Sequence, residues 1–224
     1  DICSYLCVGH GYMGKVKLAT IKDHDNNKKY IAVKIINKDN SSKNKVGHYV
    51  ESEKHALRLL NARSQYSHMI CKYFGSFEDK QTIYLCLEYI PGGTLASYLK
   101  KRTHFSQNEA LFYISNMVLM LEYIHAKGIV FRDLKPENIL LREEKDISEI
   151  VIADFGLATD LDIPLSEVLF KRCGTPGFVA PEILAFKDCQ EVFYDEKCDI
   201  FSAGVILHVI LTGKKSFTLA DYND

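Results

Sequence analysis

Residues 8–16 read VGHGYMGKV, a G-x-G-x-x-G-x-V pattern with Gly9, Gly11 and Gly14 in the loop and Val16 after it. Glycines at this spacing let a backbone approach a phosphate closely, because no Cβ stands in the way. Downstream, IAVK ends in Lys34, a compact positive charge. FRDLKPEN at 131–138 gathers Asp133, Lys135 and Asn138 in one polar turn, and IADFGLA places Asp154 beside Phe155 and Gly156. A carboxylate at a strand end next to a glycine is suited to reach a ligand. Each stretch is weak alone: polar residues fill ordinary turns, and two kinds of nucleotide site use a glycine loop.

The elements around them narrow the choice. KVKLAT after the glycines reads as a strand, and YIAVKII at 30–36 as a buried one. DHDNNKK at 23–29 is a turn signal, and Lys28–Lys29 and the segment 41–45 read as solvated loops. YVESEKHALRLL at 49–60 has helical spacing, with Val50, Ala56, Leu57 and Leu60 apolar. KYFGSFED and TIYLCLEY form a hairpin about a turn at 78–80. PGG at 91–93 marks a boundary, after which helices dominate. Ser106 and Glu109 form a capping box that opens a helix stopped near Gly128. A second buried helix runs from a cap at Asp195 to a stop at Gly213. The pattern predicts an α+β protein, with a small antiparallel β-sheet lobe and one helix over residues 1–90, then a larger, mainly helical lobe over 91–224.

Composition sets the class. The chain has 224 residues, 47% apolar and 25% charged, with net charge −1. That is an ordinary globular balance, and nothing in it points to nucleic acid or an acidic membrane surface. No apolar run reaches the length of a membrane span. The seven cysteines are scattered without a C-x-x-C pair, so we expect free thiols in a reducing, intracellular compartment, cytoplasmic or nuclear. The chain lacks a starting Met and opens almost directly on the glycine loop, as an excerpt of a longer protein does.

A dinucleotide site needs its glycines between a strand and a helix, with an acid about 20 residues on. Here a strand follows, so the loop covers a phosphate as a flap. Lys34 on the next strand is placed to meet phosphate oxygens, and Glu53 on the helix to pair with Lys34 and aim it. Glu51 competes for that role but faces another side of the helix.

These motifs stand in the order found in eukaryotic protein kinases, and the sequence resembles that family along essentially its whole length. EKHALRLLN resembles the kinase C-helix, with Glu53 in the pairing position. FRDLKPEN resembles the catalytic loop, with Phe131 where a histidine is usual. GTPGFVAPE resembles the end of an activation segment, and CDIFSAGV the long helix beneath the catalytic loop, where Asp199 braces the backbone near Arg132. The resemblance implies a two-lobed kinase fold with ATP in the cleft at 88–93. It implies that Asp133 handles the substrate hydroxyl proton, Lys135 neutralises the moving phosphate, and Asn138 and Asp154 hold Mg²⁺. The resemblance also implies that Thr175 bridges Asp133 and Lys135, a serine/threonine feature. Val8, Val16, Ala32 and Leu140 align with the adenine sandwich, the backbone of Glu88 and Ile90 with the hinge, and Leu87 with the residue controlling the pocket behind adenine.

The implied function is ATP- and Mg²⁺-dependent transfer to Ser or Thr hydroxyls of protein substrates. The alternative is a pseudokinase scaffold, which loss of Lys34, Asp133, Asn138 or Asp154 would favour. CGTPGFVAPEIL looks most like the calcium/calmodulin-dependent group, while FRDLKPENILL leans to the cyclic-nucleotide-dependent one; the first is the expected group. Glu137 suggests a mild preference for basic substrates, which Thr94, where basophilic kinases often carry an acid, tempers. Lys171 occupies the usual activating phosphoacceptor position, with Ser166 or Glu167 as substitutes, so basal activity is expected without phosphorylation there. The family continues through further helices after Gly213, where Glu182 finds an Arg partner. Residues 1–224 alone are therefore expected to be poorly stable and weakly active, with regulatory domains outside them.

Overall fold

The computed structural model describes residues 3–11, 14–22, 27–38, 43–145, 147–161, 173–184 and 195–217. The chain packs as two units, Asp1–Tyr89 and Ile90–Asp224. In the first, β1 (Cys3–Gly11), β2 (Gly14–Lys22), β3 (Lys28–Asn37), β4 (Tyr73–Glu78) and β5 (Thr82–Glu88) form one antiparallel sheet in the order β1-β2-β3-β5-β4. The register pairs Val16 with Lys34, Leu18 with Ala32, Lys34 with Leu85 and Ala32 with Leu87. Because side chains alternate along a strand, Val16, Ala32, Lys34 and Leu87 share one face. Ala19, Ile31 and Val33 form a buried cluster on the other, with Ile35, Tyr84 and Cys86 packed on it.

Helix α1 (Lys43–Leu60) belongs to this unit. Its buried stripe runs Val50, Glu53, Leu57, Leu60, at helical spacing, so a carboxylate sits within an apolar row. The helix begins earlier than its apolar pattern, and residues 43–45, expected in a loop, lie inside it. A polar first turn carries no periodic signal. Lys28 and Lys29, also expected in a loop, extend β3 opposite Lys22 and Ile21. Both are exposed, so the ladder holds them without burial. At the 78–80 turn, the Asp79 carboxylate accepts from the backbone N–H of Gln81 and Thr82, both at 2.8 Å. These bonds, the Gln81 one foremost, hold its carboxyl below the usual carboxylate range.

The second unit holds α2 (Leu95–Arg102), α3 (Gln107–His125), α4 (Pro181–Leu184) and α5 (Lys197–Thr212), with short strands β6 (Ile129–Val130), β7 (Ile139–Leu141), β8 (Ile150–Ile152) and β9 (Thr159–Asp160). β6 pairs with β9 and β7 with β8. Ser106 Oγ accepts from Glu109 N–H and the Glu109 carboxylate takes Ser106 N–H, the reciprocal box that starts α3. Thr94 and Ser97 cap α2 in the same way. Helix α3 ends at His125 with Ala126 as its cap; Gly128, at φ +73°, turns the chain beyond the helix. At α5 the cap position is Glu196, whose side chain makes no capping bond, while Asp195 Oδ1 accepts from Lys197 N–H at 2.9 Å. Helices α3 and α5 pack together under the short strands. Cys198 joins Val130, Val179, Ala180 and Ile183 in a buried cluster.

Cys7, Cys71, Cys86, Cys173 and Cys198 are free thiols. Burial pushes the Cys86 and Cys198 thiols up, away from thiolate reactivity. Among the described residues no helix is long and apolar enough to cross a membrane.

Gly213 ends α5 at φ +68°, and a Cβ there would stand 2.6 Å from the Thr103 carbonyl oxygen. Gly213→Ala is expected to cost about 2 kcal/mol, from left-handed strain and the clash. Gly204 has open space around it within the same helix, so Gly204→Ala should gain about 0.5–1 kcal/mol. Urea unfolding of the two variants checks the pair; equal effects would contradict this account of the helix stop.

Candidate functional site

In the first unit the chemistry centres on one buried ion pair. Lys34 Nζ lies 2.7 Å from Glu53 Oε1 and 2.8 Å from Oε2, with side-chain exposures of 2% and 1%. The pairing follows from position: Lys34 projects from the sheet face of Val16 and Ala32, and Glu53 from the buried stripe of α1. Glu51, the competing carboxylate, is exposed and bonds Lys54 instead. Two desolvated charges persist only where each neutralises the other, and removing one leaves an unpaired buried charge.

The glycine loop joins β1 to β2, with Gly9 opposite Val16 and Gly11 opposite Gly14. A Cβ at Gly14 would stand 2.1 Å from the Ile35 carbonyl oxygen, so this glycine is required by the chain's own close packing on β3. Val8 on β1 is 42% exposed, whereas Ala32 and Leu87 are buried. The Glu88 N–H donates to the Lys72 carbonyl at 2.8 Å, and its own carbonyl accepts from the Cys71 thiol at 3.6 Å.

In the second unit, Asp133, Lys135, Asn138 and Thr175 converge although Thr175 is distant in sequence. Thr175 Oγ1 donates to Asp133 Oδ1 at 2.6 Å, and Lys135 Nζ donates to Asp133 Oδ2 at 2.6 Å and to Thr175 Oγ1 at 2.7 Å. Asn138 Nδ2 donates to the Asp133 carbonyl at 2.9 Å and to its Oδ2 at 3.2 Å. Pro136–Asn138 form one tight helical turn, and the Asn138 carbonyl accepts from Ala153 N–H at 2.9 Å. That bond ties the loop to the segment leading into Asp154, whose φ is +63°. Asp133 is 5% exposed. Such a carboxylate, held on one side by a hydroxyl and on the other by an ammonium, is oriented to accept a proton.

Behind the loop stands Asp199, fully buried. Its Oδ2 accepts from Phe131 N–H and its Oδ1 from Arg132 N–H, each at 2.8 Å. Arg132 sits at φ +68°, and its Nε donates to the Leu157 carbonyl at 2.6 Å. The Phe131 and Phe155 rings meet edge to face, centroids 5.0 Å apart. The sequence reading missed His125, whose Nε2 lies 2.9 Å from Asp199 Oδ2. A lone histidine at a helix end carries no motif, and its partner is remote in sequence.

Asn138 and Asp154 are oxygen-bearing groups of the kind Mg²⁺ takes. With Asn138 Nδ2 committed to Asp133, its amide oxygen is the remaining donor. Among the described residues no group of three or more His, Cys, Asp or Glu side chains gathers to hold a metal. Ile90 and Leu140 are also in this unit: Ile90 is buried, and Leu140 lies on β7 opposite Val151 and bridges Thr94. Ser166, Glu167 and Lys171 lie outside the described residues.

Breaking the buried pair tests the first unit directly. Glu53→Ala is expected to destabilise the protein by about 3–5 kcal/mol. Glu51→Ala, at an exposed carboxylate, should stay within about 0.5 kcal/mol. Thermal and urea unfolding compare them, and similar losses would contradict the assignment of Glu53 as the structural partner of Lys34.

A family model described as the protein kinase domain matches residues 5–224. The serine/threonine-protein kinase CG17528 of Drosophila melanogaster is 38% identical over 192 residues, covering 85% of this chain and 24% of that protein. The cAMP-dependent protein kinase type 3 of Saccharomyces cerevisiae is 35% identical over 94% of the chain and 48% of its own length. Serine/threonine-protein kinase sgk-1 of Caenorhabditis elegans is 33% identical over 97% of the chain and 43% of its own length. The chain thus spans about a quarter to a half of the length of these curated relatives. Matched over nearly its whole length, this chain belongs to the protein kinase domain family.

Proposed function

We propose that the protein carrying this chain is a serine/threonine protein kinase, transferring the ATP γ-phosphate to Ser or Thr hydroxyls of protein substrates. The observation that carries the reading is the bridge from Thr175 to Asp133 and Lys135. Residues 1–90 serve as the ATP-binding lobe and 91–224 as the catalytic lobe. Val8, Val16, Ala32, Ile90 and Leu140, with the backbone of Glu88, take the adenine contacts the family gives them, and Gly9, Gly11 and Gly14 cover phosphate. Lys34, aimed by Glu53, meets the α- and β-phosphate oxygens.

Asp133 accepts the proton of the substrate hydroxyl as its oxygen bonds to the γ-phosphorus and the bond from that phosphorus to the β-phosphate oxygen breaks. Lys135 offsets charge on the moving phosphoryl group, and Thr175 fixes Asp133. Asn138 and Asp154 would hold Mg²⁺, which when bound would supply positive charge against the phosphates. The presence of Lys34, Asp133, Asn138 and Asp154 supports turnover over a nucleotide-binding scaffold.

The finer assignments rest on single residues. CGTPGFVAPEIL supports the calcium/calmodulin-dependent group, whereas FRDLKPENILL and the names of the cAMP-dependent relatives favour the cyclic-nucleotide-dependent one. Exposed Glu137 suits a basic substrate residue. Thr94 Oγ1 is committed to capping α2, which supports only a mild basic preference. The Arg132 guanidinium bond to the Leu157 carbonyl supports basal activity without a phosphate on the activation segment. Free thiols suit a cytoplasmic setting.

The test is Mg²⁺-dependent transfer from ATP to peptide pools fixed at Ser, Thr or Tyr, using the full-length protein with and without phosphatase pretreatment. Transfer to Ser and Thr that vanishes in Asp154→Asn and survives phosphatase is expected. Bound ATP without transfer would overturn the enzyme reading. Activity lost to phosphatase and restored only with phosphorylated Ser166 would overturn the phosphate-independent one.

A further inference from the structure

The turn between α2 and α3 presents a hydroxyl that the phosphoryl-transfer site does not use. Lys100, Lys101 and Arg102 close α2, and Thr103 follows directly. Thr103 and His104 are exposed, while Phe105 is buried. The Thr103 N–H still donates to the Leu99 carbonyl at 2.8 Å, yet its backbone leaves the helix at φ +65° and ψ −53°. A β-branched residue at positive φ is an outlier. Its Oγ1 donates to the Arg102 carbonyl at 2.6 Å and lies 3.2 Å from His104 Nδ1.

The end of α5 meets the same turn. A Cβ at Gly213 would stand 2.6 Å from the Thr103 carbonyl oxygen, and the Phe105 N–H donates to the Ile210 carbonyl at 2.7 Å. Lys214 and Lys215 follow Gly213, and both are exposed. Thr103 is therefore flanked by positive charge from two elements, Lys100–Arg102 before it in the chain and Lys214–Lys215 across the junction. Lys101 pairs with Glu144, but both side chains are 62% exposed, and such a pair is weak. Arg102 is held by Glu109 at 2.6 Å and by the Tyr98 hydroxyl at 3.3 Å. Lys100, Lys214 and Lys215 enter no ion pair among the described residues. Cations at two helix C-termini also offset the helix dipoles. The dipoles do not explain why an exposed acceptor hydroxyl stands between them.

We infer that Thr103 is a phosphorylation site, modified by a serine/threonine kinase that selects basic residues ahead of its acceptor. Lys100 stands three positions before the hydroxyl and Lys101 two. An acidic substrate groove complementary to that charge gives both encounter rate and selectivity. In the step, Thr103 Oγ1 bonds to the γ-phosphorus of ATP and the bond from that phosphorus to the β-phosphate oxygen breaks. ADP leaves, and the hydroxyl proton passes to the carboxylate base of the modifying kinase. The acceptor must enter that groove as an extended segment. Lys100–His104 stops short of the buried Phe105, and the last turn of a helix opens locally. Opening also releases the strained Thr103 dihedral.

The experiment uses the full-length protein carrying Asp154→Asn, so that the added kinase is the source of any label. A purified serine/threonine kinase selective for upstream Lys and Arg is supplied with ATP and Mg²⁺, well below the melting temperature of the substrate protein. Sites are mapped by mass spectrometry and rates followed by phosphate incorporation. Phosphate is expected on Thr103 and to be lost from that peptide in Thr103→Ala. Reversing charge on both sides of the hydroxyl, with Lys100→Glu and Lys214→Glu together, should slow labelling of Thr103 about tenfold. A kinase selective for acidic residues should leave Thr103 unlabelled.

No phosphate on Thr103, or equal labelling by the acid-selective kinase, would overturn the inference. So would labelling at an unchanged rate in the charge-reversed protein, or labelling that appears only above the melting transition. Should the double variant fail to fold, Lys100→Gln alone decides by the same comparison of rates.

Discussion

Most of the second unit's chemistry depends on how one buried carboxylate is used. Asp199 enters the interior at the start of α5 with no solvent exposure, and a charge there is tolerated only if donors surround it. The donors are the backbone N–H groups of Phe131 and Arg132 and the ring of His125. Charge-assisted hydrogen bonds contribute about 1.5–3 kcal/mol each, enough to offset the left-handed turn at Arg132. With that turn held, Asp133 emerges where Thr175, Lys135 and Asn138 can reach it. Gly174 answers the same constraint from the other side, because a Cβ there would stand 2.9 Å from the Arg132 carbonyl oxygen.

The first unit uses the same device in simpler form. Glu53 interrupts the apolar stripe of α1, and Lys34 interrupts the buried run of β3. Neither is tolerable alone, and together they tie the helix to the sheet. In both units buried charges are placed where they orient a reactive group, and the apolar contacts around them supply the stability. The two unusual backbone turns next to the site, at Arg132 and Asp154, follow the same division.

Much of this was legible in the residues. The capping box at Ser106, the hairpin about Asp79 and the strand after the glycines rest on local rules, and local rules were obeyed. Glu53 was separable from Glu51 because helical spacing puts only the former in the row of Val50, Leu57 and Leu60. The start of α1 and the extension of β3 to Lys28 were not legible, since exposed polar residues there follow backbone pairing and carry no periodic signal. The need for glycine at position 14 was visible as a motif, but its cause, the Ile35 carbonyl 2.1 Å from a would-be Cβ, is a strand-to-strand contact. His125 was invisible for a related reason: its meaning comes entirely from Asp199, which the fold brings to it.

The central claim is that the carboxylate of Asp133, oriented by this network, handles the proton in phosphoryl transfer. Asp133→Asn keeps the shape and most of the hydrogen bonds while removing the basic oxygen. The direct measurement is single-turnover transfer by this variant alongside its affinity for ATP with Mg²⁺. The account predicts affinity within about twofold of wild type and a rate lower by about 100-fold or more. Transfer by Asp133→Asn at close to the wild-type rate would contradict it.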